Sequence, residues 1–183
     1  MNKIFCLVGG SGSGKSTLRD LVPIQSIVFY TTRPKRPWEK DGHDAIFVDE
    51  KEYEEQKRMG LIVAETGYPP SPYKYWISFS AMRDLVHTPL ICIATMDIVE
   101  DLRLMYGFER VVAIYLDAPF EVLEQRMRAR GDSEEEIALR RQRWEQFDTD
   151  VKERCDIVVD ATKNKEELVN LLSRIILEQI FGK

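Results

Sequence analysis

A glycine-rich segment near the start of the chain has the composition of a phosphate-binding loop. It matches the pattern G-x-x-x-x-G-K-[ST]. Glycines let successive backbone N–H groups point into one concavity, and a following helix adds its positive dipole. In such a loop Lys15 reaches the β- and γ-phosphates of a nucleotide, and the Ser16 hydroxyl binds Mg²⁺. The residues predicted to bind a nucleoside triphosphate are Gly9, Gly10, Ser11, Gly12, Ser13, Gly14, Lys15, Ser16 and Thr17.

The elements on either side favour this interpretation over a flexible Gly/Ser turn. An apolar run predicts a strand at Lys3–Val8, and a helical pattern covers Lys15–Val22, so the loop joins a strand to a helix. The sequence contains no NKxD segment of the kind with which GTPases read a base. A chain of 183 residues is also too short for a large ATPase motor. The sequence therefore indicates phosphoryl transfer to a small acceptor.

Two arginines follow in a segment interrupted by prolines. Pro34 and Pro37 favour polyproline II geometry, in which Arg33 and Arg36 project from the same side, about 9 Å apart along the backbone. Two guanidinium groups on one side can bind a single phosphate dianion. The residue types alone leave an alternative open, because acidic and aromatic neighbours could occupy the same two side chains. These neighbours are Glu39, Asp41, Asp44 and Trp38.

A second set of arginines lies on two predicted helices. Arg126 and Arg130 are four residues apart and therefore share one face of a helix, and Arg140 follows on the next helix, beyond a break at Gly131. Arginines that close over a phosphoryl group stabilise the charge that spreads over its oxygens during transfer. Glutamates are abundant here, so ordinary surface ion pairs, each worth roughly a few tenths of a kcal/mol, are the alternative.

The elements that must position these groups alternate along the chain. Apolar, β-rich runs predict strands at Lys3–Val8, Ile24–Tyr30, Ala45–Val48, Leu61–Glu65, Tyr73–Phe79, Leu90–Thr95, Arg110–Leu116 and Asp156–Val159. Helical patterns cover Lys15–Val22, Asp49–Gly60, Asp97–Tyr106, Pro119–Arg130, Ser133–Arg154 and Lys163–Phe181. This order predicts an α/β fold with a parallel core sheet and a mostly β insertion at roughly residues 31–80.

Composition narrows the classes of partner and compartment. The formal net charge of −5 argues against binding to nucleic acid, and no apolar run approaches the ~20 residues of a membrane helix. Cys6, Cys92 and Cys155 form no metal-binding or disulfide pattern. We therefore expect a cytoplasmic protein, a monomer or homodimer, whose partners are small-molecule nucleotides.

Beyond these motifs, the chain resembles the guanylate kinases over nearly its whole length. Residues 31–48, Thr-Thr-Arg-Pro-Lys-Arg-Pro-Trp-Glu-Lys-Asp-Gly-His-Asp-Ala-Ile-Phe-Val, are similar to that family's acceptor-phosphate motif TTRxxRxGExxGxxYxFV. The segment from Leu123 to Arg140 is similar to its lid. The resemblance implies ATP-dependent phosphorylation, with Mg²⁺, of a nucleoside monophosphate, GMP or dGMP first. It also implies a P-loop kinase fold with a five-stranded parallel core sheet, a small mostly β acceptor-binding lobe and a helical arginine lid.

The resemblance implies roles for individual residues as well. Arg33 and Arg36 would bind the acceptor phosphate, with help from Tyr75. The residues that would act on the transferred phosphoryl group are Lys15, Arg126, Arg130 and Arg140. The whole chain, 1–183, would form a single domain, whose parts are a core (1–30, 81–125 and 155–183), an acceptor-binding lobe (31–80) and a lid (about 126–145).

The acceptor half departs from the family's pattern. Ala45 stands where the family has a tyrosine that contacts the acceptor phosphate, and Met96 replaces an aspartate. The family's base-reading glutamate falls near Ile62 and Val63, which are both apolar. The nearest carboxylates, Glu65 and Asp97, are therefore our candidates for contacts with the base.

Two alternatives to GMP phosphorylation remain open at this point. A kinase of the same family could act on another small phosphate acceptor, such as a different nucleoside monophosphate or a ribose bisphosphate. A non-catalytic guanylate-kinase-like binding module is the second alternative. Such modules typically lose the lysine of the phosphate-binding loop, whereas Lys15 is present here.

Overall fold

The fold is described from a computed structural model that covers residues 2–37, 39–67 and 72–182; Trp38, considered above as a stacking partner, lies outside them. The helices are α1 Lys15–Leu21, α2 Glu50–Arg58, α3 Met96–Tyr106, α4 Phe120–Arg130, α5 Glu134–Glu153 and α6 Lys165–Phe181. The strands are β1 Ile4–Val8, β2 Gln25–Ser26, β3 Tyr30–Thr31, β4 Ile46–Phe47, β5 Ile62–Gly67, β6 Lys74–Ser78, β7 Leu90–Ile93, β8 Val111–Asp117 and β9 Ile157–Asp160.

A parallel sheet forms the centre of the fold. In the described part of the chain it has five strands in the order β2-β7-β1-β8-β9. The central strand β1 is buried along its whole length and pairs in parallel with β7 on one side and β8 on the other. Neighbouring parallel strands cannot be joined by a tight turn, so helices make the crossovers. The predicted α/β fold with a five-stranded parallel core sheet is confirmed.

Apolar side chains cover both faces of this sheet. Alternate residues of β1 face opposite ways: Ile4 and Cys6 join a cluster that includes α3, while Phe5 and Leu7 join one formed with α1, α4 and α6. Strands buried on both faces read as continuous apolar runs, which is why the sequence showed no alternation there. Within the described ranges, no helix is long and apolar enough to cross a membrane.

A second, smaller sheet lies within residues 30–78. Its four strands, counted over the described residues, have the order β4-β3-β6-β5. Its core is built on Trp76, which is fully buried, stacks on Tyr30 with ring centroids 5.5 Å apart, and meets the ring of Tyr53 edge-on at 5.1 Å. The indole Nε1 donates a hydrogen bond of 3.0 Å to Gln56 Oε1 on α2. The insertion therefore carries a small aromatic core of its own.

The predicted strand Ile24–Tyr30 is wrong as a single element. The structure divides it between β2 of the core sheet and β3 of the second sheet. The Ile27 N–H still bonds the Ile91 carbonyl of the core sheet, whereas the Phe29 carbonyl already accepts from Ile46 of the second sheet. A continuous β-rich pattern cannot reveal where a chain leaves one sheet and enters another, because strands of both sheets favour the same residue types.

We expect Trp76→Ala to lower the free energy of unfolding by about 3–5 kcal/mol, because it leaves a large cavity and removes the donor to Gln56 Oε1. Chemical denaturation followed by circular dichroism measures the change. Phe79→Ala is the matched control, since Phe79 is 59% exposed and should cost less than about 1 kcal/mol. Equal losses in the two variants would contradict the role given to Trp76.

Candidate active site

The glycine-rich loop runs from the end of β1 to the start of α1 and packs closely against its surroundings. Gly9 has φ 140°, and a Cβ there would lie 2.8 Å from the Leu116 carbonyl oxygen. Gly12 has φ 86°, and a Cβ there would lie 2.8 Å from the Leu123 carbonyl oxygen. Both positions therefore require glycine, because of the backbone conformation and because β8 and α4 approach so closely.

Lys15 is folded over this loop. Its Nζ donates hydrogen bonds to the carbonyl oxygens of Gly9 (2.8 Å) and Gly10 (2.7 Å). Burial, followed by the charges of Arg130 and Arg140, lowers the pKa of the Lys15 ammonium to about 8. Ser16 lies one residue further on, exposed in the first turn of α1.

The lid arginines come to this loop from two helices. Arg130, the last residue of α4, donates from Nη2 to Ser11 Oγ at 3.2 Å, and Arg140 of α5 donates from Nη1 to the same oxygen at 2.7 Å. Both also form ion pairs with Asp132, in the turn that joins the two helices. The structure thus brings together two predicted lid residues that are ten positions apart in sequence and far from Ser11.

Arg126 reaches the loop at a different point. Its Nη1 donates to the Gly12 carbonyl at 3.3 Å, and its Nη2 donates to the Ala161 carbonyl after β9 at 2.9 Å. Arg128 points elsewhere and pairs with Glu124 and Glu134, as expected for a surface charge. The one-turn spacing of Arg126 and Arg130 therefore places both side chains at the loop, while Arg128 faces away from it.

Arg33 lies in the second sheet's loop and is held by Glu39. The guanidinium forms two hydrogen bonds to the carboxylate, of 2.8 and 3.0 Å. Burial alone would lower the pKa of Arg33, but Glu39 and the neighbouring Tyr75 outweigh it and raise the pKa. Glu39 also accepts the backbone N–H of Arg36 at 2.8 Å. One carboxylate therefore holds both predicted phosphate-binding arginines close together.

Two threonines fix the backbone of this loop. Thr31 Oγ1 donates to the Lys74 carbonyl at 2.9 Å and accepts the N–H of Arg33 at 3.1 Å. Thr32 Oγ1 accepts the N–H of Lys74 at 3.0 Å. Since β3 also pairs Thr31 with Tyr75, the arginine loop and Tyr75 are held in one register.

The arginine loop acts electrostatically on the lid. The charge of Arg36 contributes to lowering the pKa of both Asp132 and Arg140, although Arg130 is the larger cause for Asp132 and burial is the larger cause for Arg140. These groups belong to parts of the chain about a hundred positions apart. Arg36 of the arginine loop is therefore within electrostatic range of the lid residues Asp132 and Arg140, and Arg140 in turn acts on the charge of Lys15.

The carboxylates predicted to contact a base lie where β5 meets α3. Asp97 Oδ2 accepts from Thr66 Oγ1 at 3.0 Å, and Asp101 Oδ2 accepts the N–H of Glu65 at 3.1 Å. The side chain of Glu65 turns to α2, where it accepts from Tyr53 (2.7 Å) and Lys57 (2.9 Å). Asp97 is thus exposed, whereas the Glu65 carboxylate already has two partners.

The sequence interpretation missed several residues of this site. Asp132 went unnoticed, although an acidic residue directly after an Arg-Gly break is a signal for pairing with both flanking helices. The i, i+4 spacing of Asp97 and Asp101 could have indicated that both carboxylates lie on one face of a helix. Thr31 and Thr32 lie within the quoted motif, but no local pattern predicts their hydrogen bonds to the backbone of Lys74.

Comparisons with known proteins identify the family. The family model described as Guanylate kinase matches residues 1–179. A guanylate kinase of Nostoc sp. is 32% identical over 77% of this chain and 73% of its own length, and one of Thermotoga maritima is 26% identical over 95% and 86%. The crystal structure of guanylate kinase from Anaplasma phagocytophilum has a TM-score of 0.71 at 24% identity, covering 96% of this chain and 84% of that one.

A glycine-rich loop that follows the central strand of a five-stranded parallel sheet, together with arginines that converge on it, defines a P-loop kinase. The match over almost the whole chain assigns it more narrowly. The chain belongs to the guanylate kinase family.

We expect the affinity for ATP to fall as the pH rises through about 8, because the Lys15 ammonium is charged below its pKa and neutral above it. Isothermal titration calorimetry at pH values from about 6 to about 10 measures the dissociation constant of ATP. Lys15→Ala should bind ATP more weakly and lack this inflection. An affinity for ATP that stays constant across the range would show that Lys15 does not bind the phosphates.

Proposed function

We propose that this protein transfers the γ-phosphoryl group of ATP to GMP or dGMP, forming the diphosphate. The observation that carries the proposal is the convergence of Arg130 and Arg140 on Ser11, in the loop that contains Lys15, in a chain of the guanylate kinase family. Arg33 and Arg36 lie in a loop whose charge acts on this lid. A binding module would need no lysine in this loop. The guanylate kinases of Nostoc sp. and Thermotoga maritima support the choice of GMP.

The donor side of the reaction belongs to the glycine-rich loop. Its backbone N–H groups and Lys15 bind the β- and γ-phosphates of ATP, and Lys15 exchanges its bonds to loop carbonyls for bonds to phosphate oxygens. Mg²⁺ neutralises phosphate charge when it is bound. Ser16 offers a hydroxyl in an exposed position beside Lys15, which fits a cation that takes one or two oxygen ligands from a protein and the others from phosphate and water.

The acceptor side belongs to the lobe at residues 31–80. Arg33 and Arg36 bind the acceptor phosphate, and Tyr75 donates to it from the neighbouring strand. Glu39 holds Arg33 in place before the acceptor arrives and limits how far it can move. The lid at residues 126–145 supplies Arg126, Arg130 and Arg140, which stabilise charge on the phosphoryl group in flight.

We expect this protein to discriminate between acceptor bases less strongly than a site with a buried glutamate would. Val63 is buried and apolar, and Glu65 is bonded to α2, so Asp97 and Thr66 are our candidates, among the described residues, for polar contacts with the base. A site that pairs every donor of a base discriminates strongly against bases that lack those donors. We therefore propose GMP as the preferred acceptor, with a smaller preference over AMP and pyrimidine monophosphates.

A panel of nucleoside monophosphates, assayed with ATP and Mg²⁺ by coupled release of ADP, tests the proposed function. We expect GMP and dGMP to give the highest kcat/KM, by less than about a thousandfold over the others. Arg33→Ala should raise KM by about 100-fold for every acceptor alike, because the phosphate is common to all. Arg83→Ala, at a side chain that is 80% exposed, is the control. Absence of turnover with every monophosphate would refute the proposal.

The lid makes a separate prediction. Arg130→Ala or Arg140→Ala should lower kcat by about a thousandfold or more with little change in KM, because these groups bind charge that develops only during transfer. Arg128→Ala is the matched control, since Arg128 lies on the opposite face of the same helix and pairs with glutamates. Steady-state kinetics of the three variants measures the difference. Three variants with wild-type kcat would show that the arginines are ordinary surface charges.

A further inference from the structure

The turn between α4 and α5 contains a carboxylate that is unusually well buried. The side chain of Asp132 is 7% exposed, although the residue lies in a surface turn. Its Oδ1 accepts from Arg130 Nε at 2.9 Å, and its Oδ2 accepts from Arg130 Nη2 and from Arg140 Nη1. The two guanidinium groups, which come from different helices, therefore share one acidic partner.

The same two guanidinium groups also share Ser11. Asp132 binds them on one side and the Ser11 hydroxyl binds them on the other, so the four side chains form a closed ring of hydrogen bonds at the entrance to the glycine-rich loop. The ring fixes both the distance of each arginine from the loop and the direction in which its remaining N–H groups point. Neither property follows from the helices alone.

Charge explains why such a partner is needed here. Arg130 and Arg140 lie near each other, near Lys15 and within the influence of Arg36, and like charges at close range repel. Arg128, on the outer face of α4, pairs with Glu124 and Glu134 and takes no part in this cluster. Asp132 is thus placed at the point where neutralisation keeps two cations together at the loop.

We propose that Asp132 is a positioning residue that holds Arg130 and Arg140 at the glycine-rich loop in the arrangement used for phosphoryl transfer. It acts through the two arginines and touches neither nucleotide. The proposal rests on the kinase function proposed above. It assigns to the turn residue a part in catalysis that is distinct from the capping of α5, which Ser133 provides by accepting the N–H of Glu136.

The first test compares three variants by steady-state kinetics. Asp132→Asn removes the charge and keeps the size, and we expect kcat to fall by about 100-fold with KM for both substrates nearly unchanged, because the arginines are misplaced by roughly an ångström. Asp132→Glu restores the charge and should recover most of that loss. Glu134→Gln, which breaks the ion pair to Arg128, is the matched control and should leave kcat unchanged.

The second test does not depend on turnover. Arg130 and Arg140 contribute to lowering the pKa of Lys15, which otherwise faces the loop carbonyls and the Ser13 hydroxyl. If Asp132→Asn releases the arginines, the pH at which ATP affinity falls should move upward from about 8. Calorimetric titrations of the wild type, Asp132→Asn and Glu134→Gln measure this shift, and their melting temperatures exclude unfolding as its cause.

The outcomes separate this proposal from the proposed function. A wild-type protein that phosphorylates no monophosphate would refute the proposed function, while the pH dependence of ATP affinity would still test Asp132. An Asp132→Asn variant with unchanged or raised kcat, or with an inflection that stays in place or moves downward, would overturn the positioning role. An equal effect of Glu134→Gln would also overturn it.

Discussion

The crowding of positive charge at one entrance is the constraint on which this structure depends. Lys15, Arg130, Arg140 and Arg36 act on one another's charges there, although they belong to four separate segments of the chain. Phosphates would supply the compensating charge in a complex, and until they bind the protein must supply it. It does so with single carboxylates, each shared by two arginines: Asp132 in the lid and Glu39 in the arginine loop. Because charge-assisted hydrogen bonds are short and directional, these carboxylates also orient the guanidinium groups.

Helix α5 connects the lid to the core sheet along one of its faces. Arg140 reaches Ser11, Trp144 lies one turn further on and would contact a Cβ at Gly10, and Lys152 pairs with Asp117 at the end of β8 at 2.6 Å. Between them, the Tyr115 hydroxyl donates to Asp148. Positions at intervals of four share a helix face, so one rigid element sets the distance between the lid arginine and the sheet. Arg140 and Trp144 lie against the glycine-rich loop, whereas Asp148 and Lys152 attach the same helix to β8.

The smaller sheet is attached to the core by polar contacts as well as by the chain. The N–H of Glu65 donates to Asp101, and Thr66 donates to Asp97, which joins β5 to the first turns of α3. Its own aromatic core around Trp76 keeps the four strands together. The junction is apolar as well, because Val63, Ala64 and Ile77 of β5 and β6 are buried in the same cluster as side chains of α3. The lobe therefore has an aromatic core of its own and is also packed against the core of the protein.

The sequence by itself determined the local parts of this protein: the glycine-rich loop, the helix break at Gly131, the strands of the core sheet other than β2, and the one-turn spacing of Arg126 and Arg130. Each is encoded in consecutive residues or in a short period, because backbone conformation and helix faces depend on near neighbours. Tertiary structure decided which carboxylate each arginine meets, where the run Ile24–Tyr30 leaves one sheet for the other, and that Glu65 turns to α2. Those outcomes depend on the relative placement of elements far apart in the chain, which no local pattern contains.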